Sequence, residues 1–70
     1  MNKSPKKEDT KQRILDEALR LFSQSGYDAV SVERIATAVG IKAPSLYKHF
    51  KSKQEIFDAI VAETYRRYST

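Results

Sequence analysis

The sequence predicts an all-α fold, a three-helix bundle followed by the start of a fourth helix. Apolar residues recur every three or four positions in four segments, the spacing that lines one face of a helix. No segment alternates apolar and polar residues as a half-buried strand does. Only two glycines and two prolines occur among the 70 residues, so the helical segments are rarely interrupted. The predicted helices span about residues 9–25, 32–39, 43–50 and 53–69.

Helix 1 follows a polar N-terminal segment. Residues 1–8 contain three lysines and Pro5, and they are predicted to form a flexible basic arm. Either Asp9 or Thr10 can cap the helix that follows. Gly26 is predicted to end this helix, because glycine readily adopts the left-handed backbone of a helix C-terminus. The predicted apolar face of helix 1 consists of Ile14, Leu15, Ala18, Leu19 and Phe22.

Helices 2 and 3 are predicted to meet at a single glycine. Ser31 is a natural N-cap for helix 2, and Gly40 can stop it with a left-handed backbone. The apolar face of helix 2 is formed by Val32, Ile35, Ala36 and Val39. Helix 3 begins near Pro44, which is tolerated in a first turn, and Leu46 and Phe50 mark its inner side. Two short helices joined in this way are typical of a helix-turn-helix, whose second helix enters the major groove of DNA.

Helix 4 begins with a capping signal. Ser52 and Glu55 have the S-x-x-E spacing of a capping box. The apolar face that follows consists of Ile56, Phe57, Ile60, Val61, Thr64, Tyr65 and Tyr68. Because this pattern reaches the last residues without a stop signal, we expect the chain to continue in a longer protein. Residues 9–51 are thus predicted to form the helix-turn-helix domain, and residues 52–70 the start of a linking helix.

Positive charge is concentrated in the predicted helix-turn-helix. The net charge is +4, and no aspartate or glutamate occurs between Glu33 and Glu55. That window contains Arg34, Lys42, Lys48, Lys51, Lys53 and the titratable His49. Segregated positive charge suits a polyanion such as duplex DNA. A solvated lysine-rich surface is the alternative, but the coincidence with the helix-turn-helix favours DNA.

Several other classes of protein are disfavoured. The chain has no cysteine and one histidine, so neither a disulfide nor a metal site is expected, and no cofactor is predicted. Its adjacent acids, Glu8–Asp9 and Asp16–Glu17, point about 100° apart on a helix and cannot act as a catalytic pair, so we expect no enzyme. No apolar run approaches the roughly 20 residues of a membrane span, and the polar N-terminus does not resemble a signal peptide. These features fit a cytoplasmic protein.

Three segments together resemble a known family. They are the helix 1 pattern ILDEALRLFSQSGYDAVSV, the turn IATAVGI, and SLYKHFKSKQEIF, which is the most specific of the three. Through these three segments, the chain resembles the DNA-binding domain of the TetR family of bacterial regulators. The resemblance covers about residues 10–61. The resemblance implies a homodimer in the full-length protein and mostly repressor function. It also implies a small-molecule effector bound by a larger C-terminal domain, which lies outside these 70 residues and to which residues 52–70 would lead.

Candidate base-reading residues lie on the outward face of helix 3. They are Lys42, Ala43, Pro44, Ser45 and Lys48. In the major groove a serine can donate or accept a hydrogen bond, a lysine can reach guanine O6 or N7, and small apolar groups can touch a thymine methyl. The alternative is that Pro44 and Ser45 act only as helix-start residues.

Candidate phosphate-binding residues surround that helix. They are Ser31, Tyr47, His49 and Lys53. Ser31 and Lys53 each lie at a helix N-terminus, where free backbone N–H groups favour anions. Beside Leu46, Tyr47 would more often belong to the core, but the family resemblance implies that its hydroxyl reaches a phosphate. His49 either bonds a phosphate or simply lies on the surface.

The sequence therefore predicts a sequence-specific, DNA-binding transcriptional regulator. The most specific form of this hypothesis is a ligand-responsive repressor that binds a palindromic operator as a dimer through helix 3. The alternative is a small helical protein-interaction module whose basic face binds an acidic partner.

Overall fold

The computed structural model describes residues 7–69, with side chains described for residues 10–66. Four α-helices and one turn of 3-10 helix make up the fold. They are α1 (Lys7–Ser25), the 3-10 turn (Tyr27–Ala29), α2 (Val32–Val39), α3 (Ala43–Tyr47) and α4 (Lys53–Ser69). The remaining described residues form turns and loops, and none of them is in a strand. The predicted all-α class is confirmed, although the 3-10 turn was not predicted.

Two helix boundaries differ from the prediction. α1 begins at Lys7, so residues 7 and 8 of the predicted arm belong to the helix, while residues 1–6 lie outside the described part of the chain. α3 ends at Tyr47 instead of continuing to Phe50. α3 ends early because the chain tightens after Tyr47. The N–H of Lys48 donates to the Ser45 carbonyl at 3.2 Å, and the N–H of His49 donates to the Leu46 carbonyl at 2.8 Å. These are i to i−3 bonds, which close a 3-10 turn rather than extend an α-helix.

Each of the four α-helices contributes a large, completely buried aliphatic side chain to the core. Ile14, Ile35, Leu46 and Ile56 each have a relative exposure of 0%. Burial of such a side chain stabilises the folded state by about 1.5–3 kcal/mol. α3 has only five residues, too few for a helix to be stable by itself, and Leu46 is its single buried residue. Its attachment to the bundle therefore depends on Leu46 and on the turn that precedes it.

The apolar face of α1 is rotated relative to the prediction. Leu19 was placed in the core, yet it is 49% exposed, whereas Leu21 is buried with 5% exposure. Leu21 lies three residues after Ala18 and seven after Ile14, so it falls on the same face of the helix. The spacing alone did not distinguish Leu19 from Leu21 because both fit an apolar helical pattern.

α4 buries only part of its apolar face. Ile56 and Ile60 are buried, but Phe57, Val61 and Tyr65 are exposed, Tyr65 by 73%. The side chain of Tyr68 lies outside the described residues. The exposed members line an apolar groove with Leu19 of α1. Within the described residues, no helix combines the length and apolar composition that a membrane span requires.

The turn between α2 and α3 adopts a well-defined backbone conformation. Gly40 has φ 95° and ψ 25°, the left-handed region predicted for it. Its N–H donates to the Thr37 carbonyl at 3.1 Å, and the N–H of Ile41 donates to the Ala36 carbonyl at 3.0 Å. These two bonds form a Schellman motif, which satisfies carbonyls that the helix end would otherwise leave free. Ile41 then packs against the core.

Gly26 also has positive φ, but in a different conformation. Its φ of 90° is combined with a ψ of 153°, which is an extended region rather than the left-handed helical one predicted. Its N–H donates to the Phe22 carbonyl at 2.8 Å, so Gly26 does end α1. The extended ψ directs the chain into the 3-10 turn, whose Ala29 N–H donates back to the Gly26 carbonyl at 3.2 Å.

Replacing Gly40 tests the contribution of this turn to stability. A Cβ at Gly40 would meet no atom within 4 Å, so the effect of Gly40→Ala is confined to its left-handed backbone. We expect the free energy of unfolding, measured by urea denaturation, to fall by about 1–2 kcal/mol. Gly40→Asn is the matched control and should lose less, because asparagine tolerates this region. Equal losses in the two variants would contradict this account.

Candidate nucleic-acid interface

One side of α3 and the residues at its two ends, Lys42 and Lys48, are accessible to a ligand. Of the five predicted base-reading residues, Lys42, Pro44, Ser45 and Lys48 are exposed, and Ala43 is half-buried. Within residues 10–66, the side chains of Lys42, Ser45 and Lys48 have no hydrogen-bond or ion-pair partner. Their polar groups are therefore available to an external partner.

The start of α3 faces one side of α2 across an open groove. The groove is lined by Glu33, Ala36, Thr37, Gly40, Ile41, Lys42 and Ala43. Two of these residues, Glu33 and Thr37, are exposed positions of α2 and are not among the predicted site residues. Their spacing of four residues places them on one helix face, a signal that could have identified them. The Thr37 hydroxyl donates to the backbone carbonyl of Glu33 at 3.0 Å. The side-chain carboxylate of Glu33 gives the groove a negative charge.

The N-terminus of α2 is capped as the sequence predicts. Ser31 is exposed, has an extended backbone, and its Oγ accepts a hydrogen bond from the Arg34 N–H at 3.0 Å. The side chain of Arg34 also contacts the segment before α2, where its Nη1 donates to the Ala29 carbonyl at 3.4 Å. The N–H groups of the first turn that Ser31 leaves unbonded point outward along the helix axis, where they favour an anion.

The C-terminus of α2 is held by a side chain from α1. Arg13 donates from Nη2 to the Val39 carbonyl at 2.6 Å. A cation at this end of a helix is favourable, since the free carbonyls there carry partial negative charge. Both ends of α2 are therefore fixed before any ligand binds.

Lys53 has an internal partner as well as a predicted external one. Its Nζ donates to the Tyr27 carbonyl at 2.7 Å and lies 4.1 Å from the centroid of the Tyr27 ring. The side chain is half-buried. Lys53 is the first residue of α4, so this contact joins the start of α4 to the 3-10 turn that precedes α2.

Tyr47 and His49 follow Leu46 at the end of α3. Tyr47 is 43% exposed, unlike the fully buried Leu46 beside it, so it is not a core residue. His49 is half-buried, and no cluster of potential metal ligands occurs among the described residues.

The structure brings some of the predicted residues together. Lys42 and Ala43 share a groove with the first helix of the motif, and Lys53 contacts the turn four residues before Ser31. Within the described residues, no hydrogen bond, ion pair or ring contact joins the side chains of Tyr47 or His49 to either of these groups.

The capping box of α4 is present in a modified form. The Glu55 N–H donates to Ser52 Oγ at 3.2 Å. The Glu55 carboxylate accepts from the N–H of Lys51 at 2.9 Å, one residue earlier than in the standard box. Both bonds fix the loop between α3 and α4, and they also direct the Glu55 carboxylate toward its own loop.

Comparison with known proteins agrees with this geometry. The family of bacterial regulatory proteins of the TetR type matches residues 14–60, which include α2, α3 and the turn between them. The chain belongs to the TetR family. The resemblance predicted from the sequence is therefore confirmed.

Two relatives illustrate the similarity. The chain is 47% identical over 53 residues to the HTH-type transcriptional regulator AcrR of Shigella flexneri, covering 76% of this chain and 25% of that protein. It is also 47% identical over 51 residues to IcaR of Staphylococcus aureus strain Newman, named as a negative transcriptional regulator of the biofilm operon icaADBC. That match covers 73% of this chain and 27% of the relative. The chain thus spans about a quarter of the length of the curated relatives it matches.

Substitutions at Ser31 separate its two predicted roles. Ser31→Ala removes the cap on the Arg34 N–H and should lower the free energy of unfolding by about 1 kcal/mol. Ser31→Asp keeps a capping oxygen and should leave stability close to that of the unmodified protein. Its added negative charge should nevertheless weaken binding to duplex DNA, if a phosphate lies at this helix end. Urea denaturation and a fluorescence titration measure the two effects, and unchanged DNA affinity in Ser31→Asp would exclude a nearby phosphate.

Proposed function

We propose that this TetR-family protein is a ligand-responsive transcriptional repressor that binds a palindromic operator as a dimer and reads bases with α3. The observation that carries the proposal is the accessible side of α3, where Ser45 and the residues at the two helix ends, Lys42 and Lys48, have no internal side-chain partner among the described residues. Repression, as opposed to activation, is supported by one of the two relatives, which is named as a negative transcriptional regulator. Because its partner would be the bacterial chromosome, we expect the protein in the cytoplasm.

Base recognition is assigned to the exposed side of α3. Ser45 is suited to a hydrogen bond with a base edge, and Lys48 to guanine O6 or N7. The apolar surfaces of Ala43 and Pro44 are suited to contact with a thymine methyl. Lys42, at the N-cap of α3, adds a flexible cation that can serve either a base or a phosphate.

Backbone recognition is assigned to the residues around α3. The N-terminus of α2 beside Ser31, the exposed hydroxyl of Tyr47, His49 and Lys53 would each contact a phosphate. Such contacts set the register of the protein on the duplex, whereas the base contacts of α3 provide sequence preference. Only the cationic members would release counterions, so the affinity should depend on salt through the lysines.

The dimer and the effector would belong to the full-length protein. Two copies of α3, related by a two-fold axis, fit successive major grooves when they lie about 34–36 Å apart. A ligand regulates such a protein if it binds more tightly to a dimer in which this spacing is wrong. The proposed effector is a small molecule bound outside the described residues.

Selection of duplexes from a random pool, with the full-length protein, tests the proposal. We expect an inverted repeat whose half-sites are centred about 10–10.5 base pairs, or a multiple of that distance, apart. Binding of a selected duplex should weaken steeply between low and moderate salt. The absence of salt-sensitive duplex binding would reject DNA recognition and favour the alternative, a protein-interaction module. Recovery of a single unrepeated site would reject binding as a dimer but would leave sequence-specific DNA recognition in place.

Substitutions in α3 test base reading. Ser45→Ala and Lys48→Ala should each change the preferred base pair at one position, with a loss of about 1–3 kcal/mol for the original sequence. Lys51→Ala is the matched control, because Lys51 is exposed in the same basic segment but lies three residues beyond Lys48, the C-cap of α3. It should change affinity without changing preference. Selection experiments with each variant make the comparison, and unaltered preference in both α3 variants would show that other residues read the bases.

A further inference from the structure

The contact between Lys53 and Tyr27 combines two different attractions. The carbonyl of Tyr27 accepts a hydrogen bond from Nζ at 2.7 Å, and the ring of the same residue lies 4.1 Å from that nitrogen. A cation within about 6 Å of an aromatic centroid is attracted by the electron-rich face of the ring. One residue therefore contacts the ammonium group from two directions, which restricts the positions open to the flexible lysine side chain.

The Tyr27 ring is itself immobilised. Its centroid lies 5.2 Å from that of Phe22 and 5.4 Å from that of Phe57. Its hydroxyl donates to Gln54 Oε1 at 3.2 Å. The ring is thus packed on one side by α1 and on the other by α4, and its remaining face is available to the cation.

The same turn is connected to the N-terminus of α2. Val30, which follows the 3-10 turn, is only 1% exposed, and the Ala29 carbonyl accepts from Arg34. Ser31 comes next and caps α2. The ammonium group of Lys53 and the anion-binding end of α2 are consequently held by one short, well-packed segment.

An ammonium group has three donors, and the Tyr27 carbonyl uses one of them. The others remain for a phosphate, so the internal contact does not exclude the external one. A free lysine loses rotamer entropy when it binds, and a side chain already ordered in the free protein avoids much of that loss. Preorganisation of this kind increases affinity without adding a contact to the ligand.

We infer that Tyr27 is a positioning residue for DNA binding, which orients the Lys53 ammonium toward a backbone phosphate beside the N-terminus of α2. This inference rests on the proposed function. It extends that function because it gives a role in DNA binding to Tyr27, a residue that is not among the proposed DNA contacts. It predicts that the contribution of Tyr27 to affinity passes through Lys53 and disappears when the lysine is removed.

A double-mutant cycle with the full-length protein and a selected duplex tests this dependence. Tyr27→Leu should weaken binding by about two- to tenfold, the range expected when one rotamer-rich side chain must be ordered on binding. Lys53→Met should weaken binding and lower the slope of log affinity against log salt by about one. In the Lys53→Met protein, Tyr27→Leu should then have almost no further effect.

Two further variants separate positioning from packing. Tyr27→Phe keeps the ring and its contacts with Phe22 and Phe57 and should bind DNA almost as tightly as the unmodified protein. Replacement of Tyr27 by pentafluorophenylalanine keeps the ring shape but removes its attraction for a cation, so it should reproduce the loss seen in Tyr27→Leu. This comparison remains decisive even if Tyr27→Leu does not fold. An upfield NMR shift of the Lys53 ε-methylene protons, lost in Tyr27→Leu or the fluorinated protein, reports the contact directly.

The outcomes are distinct. If Tyr27→Leu weakens binding equally with and without Lys53, or if the fluorinated ring binds DNA as tightly as phenylalanine, the positioning role is overturned while DNA recognition stands. The same holds if Lys53→Met changes neither the affinity nor the salt slope. If the unmodified protein shows no salt-sensitive duplex binding, it is the proposed function that fails.

Discussion

Two hydrogen bonds across the Gly40 turn determine the direction in which the chain leaves α2. They run from the N–H of Gly40 to the Thr37 carbonyl and from the N–H of Ile41 to the Ala36 carbonyl. α3 is too short to be stable by itself, so this turn and the burial of Leu46 together fix its orientation. The placement of the exposed side of α3, and with it the proposed base contacts, depends on that orientation.

The sequence was most informative where the determining interactions are local. The Ser31 cap, the left-handed Gly40 and the Ser52 cap each involve residues within about four positions, and all three are present. The sequence was less informative where distant residues decide the outcome. The choice between Leu19 and Leu21 depends on how α1 packs against the other helices, and the internal partner of Lys53 lies 26 residues away. For the candidate site, α3 was located from the sequence, but the groove residues Glu33 and Thr37 were not proposed.

In the part of the chain that the structure describes, three cationic side chains bond to backbone carbonyls near α2. Arg13, Arg34 and Lys53 each donate to a backbone carbonyl, at Val39, Ala29 and Tyr27 respectively. These carbonyls lie on either side of α2, at its last residue and in the segment before it. Of these three, only Lys53 is also proposed to contact a phosphate, so the number of positive charges exceeds the number of proposed phosphate contacts. The same contacts have a separate benefit, because they hold the first helix of the motif in place without an additional apolar core.

The way α3 is attached has a consequence for how such a protein can change its target. Only Leu46 of its five residues is buried, and the outward positions have no internal partners to lose. Exchanges at exposed sites of this kind usually alter stability by less than about 0.5 kcal/mol. If α3 reads bases as proposed, new operator sequences become accessible through successive single replacements that the fold tolerates, while the glycine turn and its anchoring leucine stay the same.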